Sequence, residues 1–169
     1  MMLRVVEVGK PSPRLELAFT PSHLILREAL HLPFKVEDEG AGRAYDMIMV
    51  LRPCCHRRNS GGFRRVEVYD ERFYLSVRRS TWLALFIEAW LLQDEPLEVF
   101  EAEDEELGLL VWRSYPMAPE AKALLEALSC VPLRNARLWR RVYEALTLHG
   151  REGVLDLLLP CVLEEALSR

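Results

Sequence analysis

The stretch Thr20-Pro21-Ser22-His23-Leu24-Ile25-Leu26-Arg27-Glu28-Ala29-Leu30-His31-Leu32-Pro33 decides which fold the rest of the chain can join. Thr20 before Pro21 has the form of a helix start. The hydroxyl can cap free N–H groups, and proline at the first helical position gives up a donor that has no partner there anyway. Leu24, Ile25 and Leu30 are then the buried positions, Arg27 and Glu28 face out, and Pro33 supplies a stop. The expectation is a helix over residues 21–31.

Outward from it, the pattern is mostly that of strands. Residues 3–8 and 14–19 alternate around Lys10-Pro11-Ser12-Pro13, which reads as a hairpin. Residues 34–37 suit a short strand, and 45–51 are apolar almost throughout, as in a central strand. A loop over 53–62 leads to strands at 63–69 and 73–77 around Asp70-Glu71. Ser80 or Thr81 caps an apolar helix reaching about Gln93, expected to be the core helix. Residues 97–102 and 109–115 form a hairpin joined by Glu103-Asp104-Glu105-Glu106.

Beyond Pro116 the pattern is helical: 118–130, 135–148 with His149-Gly150 as C-cap, and 152–167 with Pro160 as a break or kink. The whole predicts an α+β fold: a mixed or antiparallel sheet of about five to seven strands on a core helix, then a C-terminal three-helix segment. The implied division is an α+β domain over 1–115 and a helical segment over 116–169, either separate or packed on the first.

The 169 residues are half apolar, enough for a core, and the net charge of −4 does not mark a bulk polyanion or membrane binder. Lys10, Lys35 and Lys122 are the three lysines against 19 arginines, and Gln93, Asn59 and Asn135 are the three amides. So few thermolabile amides suggest a thermophilic source. The charged start Met1 to Glu7 lacks a signal-peptide core, and the apolar run 82–92 is too short to span a bilayer. The expectation is a cytoplasmic protein without a membrane segment. Its four cysteines read as thiols, or, in a hyperthermophile, as thiols plus a Cys130–Cys161 bridge, and both remain open.

Charge is distributed in blocks. Residues 52–79 hold eight arginines against three carboxylates and include the loop Cys54-Cys55-His56-Arg57-Arg58-Asn59-Ser60-Gly61-Gly62. Arg52, Arg57, Arg58, Arg64 and Arg65 are candidates for phosphate contacts, since a guanidinium fork grips phosphate without needing base identity. On the helix 135–148, Trp139, Val142, Tyr143 and Leu146 make the buried stripe, leaving Arg134, Arg137 and Arg141 as a second basic set. Residues 94–106 carry eight carboxylates and no base. Such separated blocks suit docking to a protein partner or a second copy, and the apolar excess at Leu157-Leu158-Leu159 points the same way.

Catalytic signatures are missing. There is no Gly-x-Ser-x-Gly elbow, no Gly-x-x-x-x-Gly-Lys loop and no Gly-x-Gly-x-x-Gly fingerprint. Cys54-Cys55-His56 lacks the spacing that wraps zinc, so neither metal nor cofactor is expected. These readings add up to a non-catalytic subunit or adaptor of an intracellular complex, binding nucleic acid through its arginine-rich surfaces. The alternative comes from element order: a helix, a short strand, Tyr45-Asp46 opening a buried strand, Val66-Glu67-Val68-Tyr69 on the next, then a core helix. Over residues 21–102 this order resembles the PD-(D/E)xK nuclease core. The resemblance implies that Asp46 and Glu67 hold a metal, with Glu28 as a helix carboxylate. Tyr69 stands where that family has its lysine, which implies an inactive relative rather than an active nuclease.

Overall fold

A computed structural model describes residues 2–51, 73–130 and 133–167. It shows an α+β fold built on a curled antiparallel sheet. The chain order is β1 (Leu3–Val8), β2 (Ser12–Phe19), β3 (His23–Asp38), β4 (Arg43–Leu51), β5 (Tyr74–Arg78), α1 (Trp82–Leu91), β6 (Glu98–Asp104), β7 (Gly108–Pro116), α2 (Pro119–Cys130) and α3 (Ala136–Leu167). Strands predicted at 63–69 fall outside the described residues.

The deciding stretch is a strand. Residues 23–38 run as one 16-residue β3, and Thr20–His23 is the turn of a long hairpin. Thr20 Oγ1 does cap, but what it caps is a turn. It accepts from His23 N at 2.8 Å and Ser22 N at 3.3 Å, while Thr20 N donates to His23 O at 2.8 Å. Pro21 fits the second position of a β-turn as readily as the first of a helix. β3 is paired along both edges, by β2 and β1 on one side and by β5 and β4 on the other. Leu24, Ile25, Leu26, Arg27 and Ala29 are buried, the mark of a strand covered on both faces.

The predicted N-terminal hairpin is corrected by the same pairing. β1 and β2 do not pair with each other; they lie end to end against β3, with Val8 opposite Phe34 and Ser12 opposite His31. The extra residue between them makes a bulge, and its first residue, Gly9, sits where a Cβ would come 2.7 Å from Pro33 Cγ. Gly9 N donates to Pro33 O at 2.8 Å. Pro33 thus interrupts the ladder where the neighbouring strand is already irregular, and β3 continues past it. β4 occupies the predicted strand position, but Tyr45 and Met47 are exposed, and among the described residues β3 is its one strand neighbour.

Helices cover one face of the sheet. Thr81, with extended backbone, caps α1 by accepting from Ala84 N at 3.2 Å. Leu83, Phe86, Ile87 and Trp90 then recur at helical spacing and face inward. Asn135 caps α3 through Oδ1 to Leu138 N at 3.1 Å. Two helical stretches of α3 meet at Gly150, whose φ of 73° and ψ of −170° form a backbone conformation open essentially to glycine alone. One core cluster joins Leu17 and Leu26 of the sheet to Phe86, Leu124, Trp139 and Val154 of the three helices. Trp139 packs on Phe86 with centroids 5.4 Å apart. Ala18, Ile25, Leu110 and Trp112 form a second, smaller cluster.

Candidate polyanion-binding surface

The sheet face that carries Ala18, Ile25 and Trp112 holds charge inside the protein. Glu16 of β2, Arg27 and His31 of β3 and Ser114 of β7 are all buried. Arg27 Nε donates to Glu16 Oε1 at 2.8 Å, and its Nη2 lies 2.8 Å from the same oxygen. His31 Nε2 is 2.6 Å from Glu16 Oε2, and its Nδ1 is 3.0 Å from Glu98 Oε1 on β6. Arg14 Nη1 lies 3.6 Å from that Glu98 oxygen and donates to Ser114 Oγ at 3.3 Å. The Arg27 guanidinium stacks 3.6 Å above the Trp112 ring.

Both oxygens of Glu16 are engaged, one by the Arg27 guanidinium and the other by the His31 ring, and His31 lies between the carboxylates of Glu16 and Glu98. The cluster is therefore a brace that fixes the curl of the sheet. Sequence reading missed it, because a helix over 21–31 turns Arg27 outward and leaves no β2–β3 pairing to bring Glu16 to it. Read as a strand, Arg27, Ala29 and His31 alternate onto one face, which is the available signal.

The outer arginines are arranged differently. Arg134, Arg137 and Arg141 are exposed around the start of α3, and among the described residues none of them has an ion pair. Arg140 beside them pairs with Glu144 at 3.1 Å and lies 5.5 Å over the ring of Trp82, the first residue of α1. Trp82 also packs against Tyr143. Arg140 of α3 thus borders the N-terminus of α1, which follows the exposed Arg78 and Arg79 in the chain. Neither α1 nor α3 has an acidic residue in its first turn. Two positive helix ends are accompanied by arginines where carboxylates would be the stabilising choice.

Among the described residues, no carboxylate of the acidic block forms an ion pair with Arg134, Arg137 or Arg141. Asp94 is engaged by Arg151, at 2.9 and 3.2 Å, and Glu98 points into the buried brace. Glu95, Glu101, Glu105 and Glu106 are exposed.

Arg52, Arg57, Arg58, Arg64, Arg65 and Glu67 lie outside the described residues, and so do the side chains of Cys130 and Cys161. Glu28 is on β3, not on a helix, opposite Leu15. Asp46 is opposite Lys35, with its side chain 92% exposed. Positions 28 and 35 are seven residues apart on one strand, about 23 Å, and an odd separation puts them on opposite faces. The structure does not bring Glu28 and Asp46 together. Among the described residues there is no group of three or more metal-ligating side chains, and no helix is long and apolar enough to cross a membrane. Compared with protein-family models, curated proteins and solved structures, the chain matches none.

Proposed function

We propose that this protein is a non-catalytic binding subunit or adaptor that grips nucleic-acid backbone through the arginine face of α3 and the adjoining N-terminus of α1. One observation carries the reading: Arg134, Arg137 and Arg141 stand exposed at a positive helix end, without ion pairs among the described residues. Such a surface gains most from phosphate, whose charge offsets the helix end and whose oxygens fit the guanidinium fork. No base-reading amide accompanies the arginines beyond Asn135, and its side chain is already used as a cap. Contacts of this kind set affinity without sequence preference.

A protein partner has its own support. The outer parts of β1, β3 and β4 form a three-stranded arm with two unlike faces. Paired residues share a face, so Val5, Val36 and Tyr45 stand together, as do Val8, Phe34 and Met47. The other face carries Arg4, Glu7, Lys35, Glu37 and Asp46, linked by surface ion pairs. Leu3, Val5, Val8, Tyr45 and Met47 are exposed apolar side chains on one surface, which suits docking to another protein or to a second copy. The test is binding to random-sequence DNA and RNA across a salt series, with sedimentation to read self-association. Steep salt dependence supports the reading, and a flat response ends it.

A further inference from the structure

The hairpin turn Thr20–His23 and the segment leading from β5 into α1 enclose an open groove of about 460 Å³, lined by Pro21, Ser22, His23, Arg78, Arg79 and Ser80. None of the six carries a carboxylate, and every polar side chain among them can donate a hydrogen bond. His23 and Arg78 are direct cross-strand partners on β3 and β5, so their side chains leave the sheet on the same face, roughly 5 Å apart at Cβ. Ser22 Oγ occupies His23 Nδ1 at 2.7 Å, which leaves Nε2 as the ring nitrogen available to a ligand. Arg78 is exposed and has no ion pair among the described residues.

The groove wall is held in place. Arg79 N donates to Ser22 O at 3.0 Å, Arg79 Nη1 donates to Thr20 O at 3.3 Å, and the guanidinium stacks 4.9 Å over Phe19. Those contacts tie the turn to the start of α1 and leave further guanidinium donors of Arg79 at the rim.

We propose that this groove is a phosphate-binding subsite for a nucleic-acid strand, taking one phosphodiester between Arg78 and His23. The inference rests on the polyanion reading above, and the groove lies just before Trp82, the first residue of α1, over which Arg140 stacks. Its volume lies in the range of small-molecule sites, about 300–1,000 Å³, so the sugar next to the phosphate has room.

The test uses the full chain, a labelled short oligothymidylate and a competing series of inorganic phosphate. Arg78→Gln should weaken oligonucleotide binding about tenfold at low salt, as expected for losing a charge-assisted contact. It should also flatten the salt slope by about 0.7. His23→Gln should weaken binding in the same direction, and both variants should melt like the wild type because the two side chains are not core residues. If both variants bind as the wild type while arginine removal on α3 weakens binding, the groove is overturned and the polyanion reading stands. Phosphate binding without oligonucleotide binding overturns the strand as the ligand. If neither probe binds, both readings fall.

Discussion

His31 of β3 meets Glu98 of β6 at 3.0 Å although β2 and β7 lie between their strands in the sheet. In a flat sheet three strand spacings alone would hold their backbones at least about 14 Å apart. The contact therefore exists because the sheet curls, and the Glu16–Arg27–His31–Glu98 brace is positioned to keep it curled. Removing the charge at its centre should be costly. Glu16→Gln leaves Arg27 buried against a neutral amide, with an expected loss of about 3–5 kcal/mol in urea unfolding. Glu37→Gln, which breaks an exposed pair with Arg4, should cost less than about 1 kcal/mol. Equal losses at the two positions would show that the brace does not hold the fold.

Tyr115 supplies a pH dependence. Burial pushes its phenol above the ordinary value of 10.0, while the Arg113 guanidinium beside it pulls the other way. A raised folded-state value favours the neutral phenol in the native protein. The stabilisation is thus fully present below the unfolded value near 10 and is lost as pH rises past it toward the folded value. Tyr115→Phe should leave stability near neutral pH little changed and reduce the loss seen above pH 10. Parallel alkaline limbs for the two proteins would contradict this.

Trp139 tests whether the C-terminal helices share the sheet's stability. It is fully buried on α3 against Phe86 of α1, within the cluster that includes Leu17 and Leu26. Trp139→Ala should cost about 3–5 kcal/mol. Because the core is shared, the loss should appear equally in a sheet-sensitive and a helix-sensitive circular-dichroism signal. A loss confined to the helix signal would mean that the sheet stands without α3.

Much of the fold was legible where one signal acted alone. The hairpin of β6 and β7 follows from two apolar-rich segments on either side of a run of carboxylates, and α1 from an apolar helix behind a capping threonine. Gly150 marked the bend in α3 because backbone with positive φ favours glycine. β3 was not legible, because Thr20-Pro21 has equal use in a hairpin turn and at a helix start. A continuous apolar run also lacks the alternation that separates a strand from a helix. That one ambiguity hid the brace, since Arg27 and His31 become neighbours of Glu16 only when β2 and β3 are paired. The exposed arginines of α3 were legible because Trp139, Val142 and Leu146 fix the buried stripe, and the residues between must face out.

The polyanion account stands or falls with the arginines of α3. The most direct measurement is the salt dependence of oligonucleotide binding for the wild type and for Arg134→Ala, Arg137→Ala and Arg141→Ala combined. Each single-strand phosphate contact contributes about 0.7 to the slope of log affinity against log salt. The account predicts a slope shallower by about 2 in the triple variant, with its melting temperature unchanged. A triple variant that keeps the wild-type slope and affinity would contradict it.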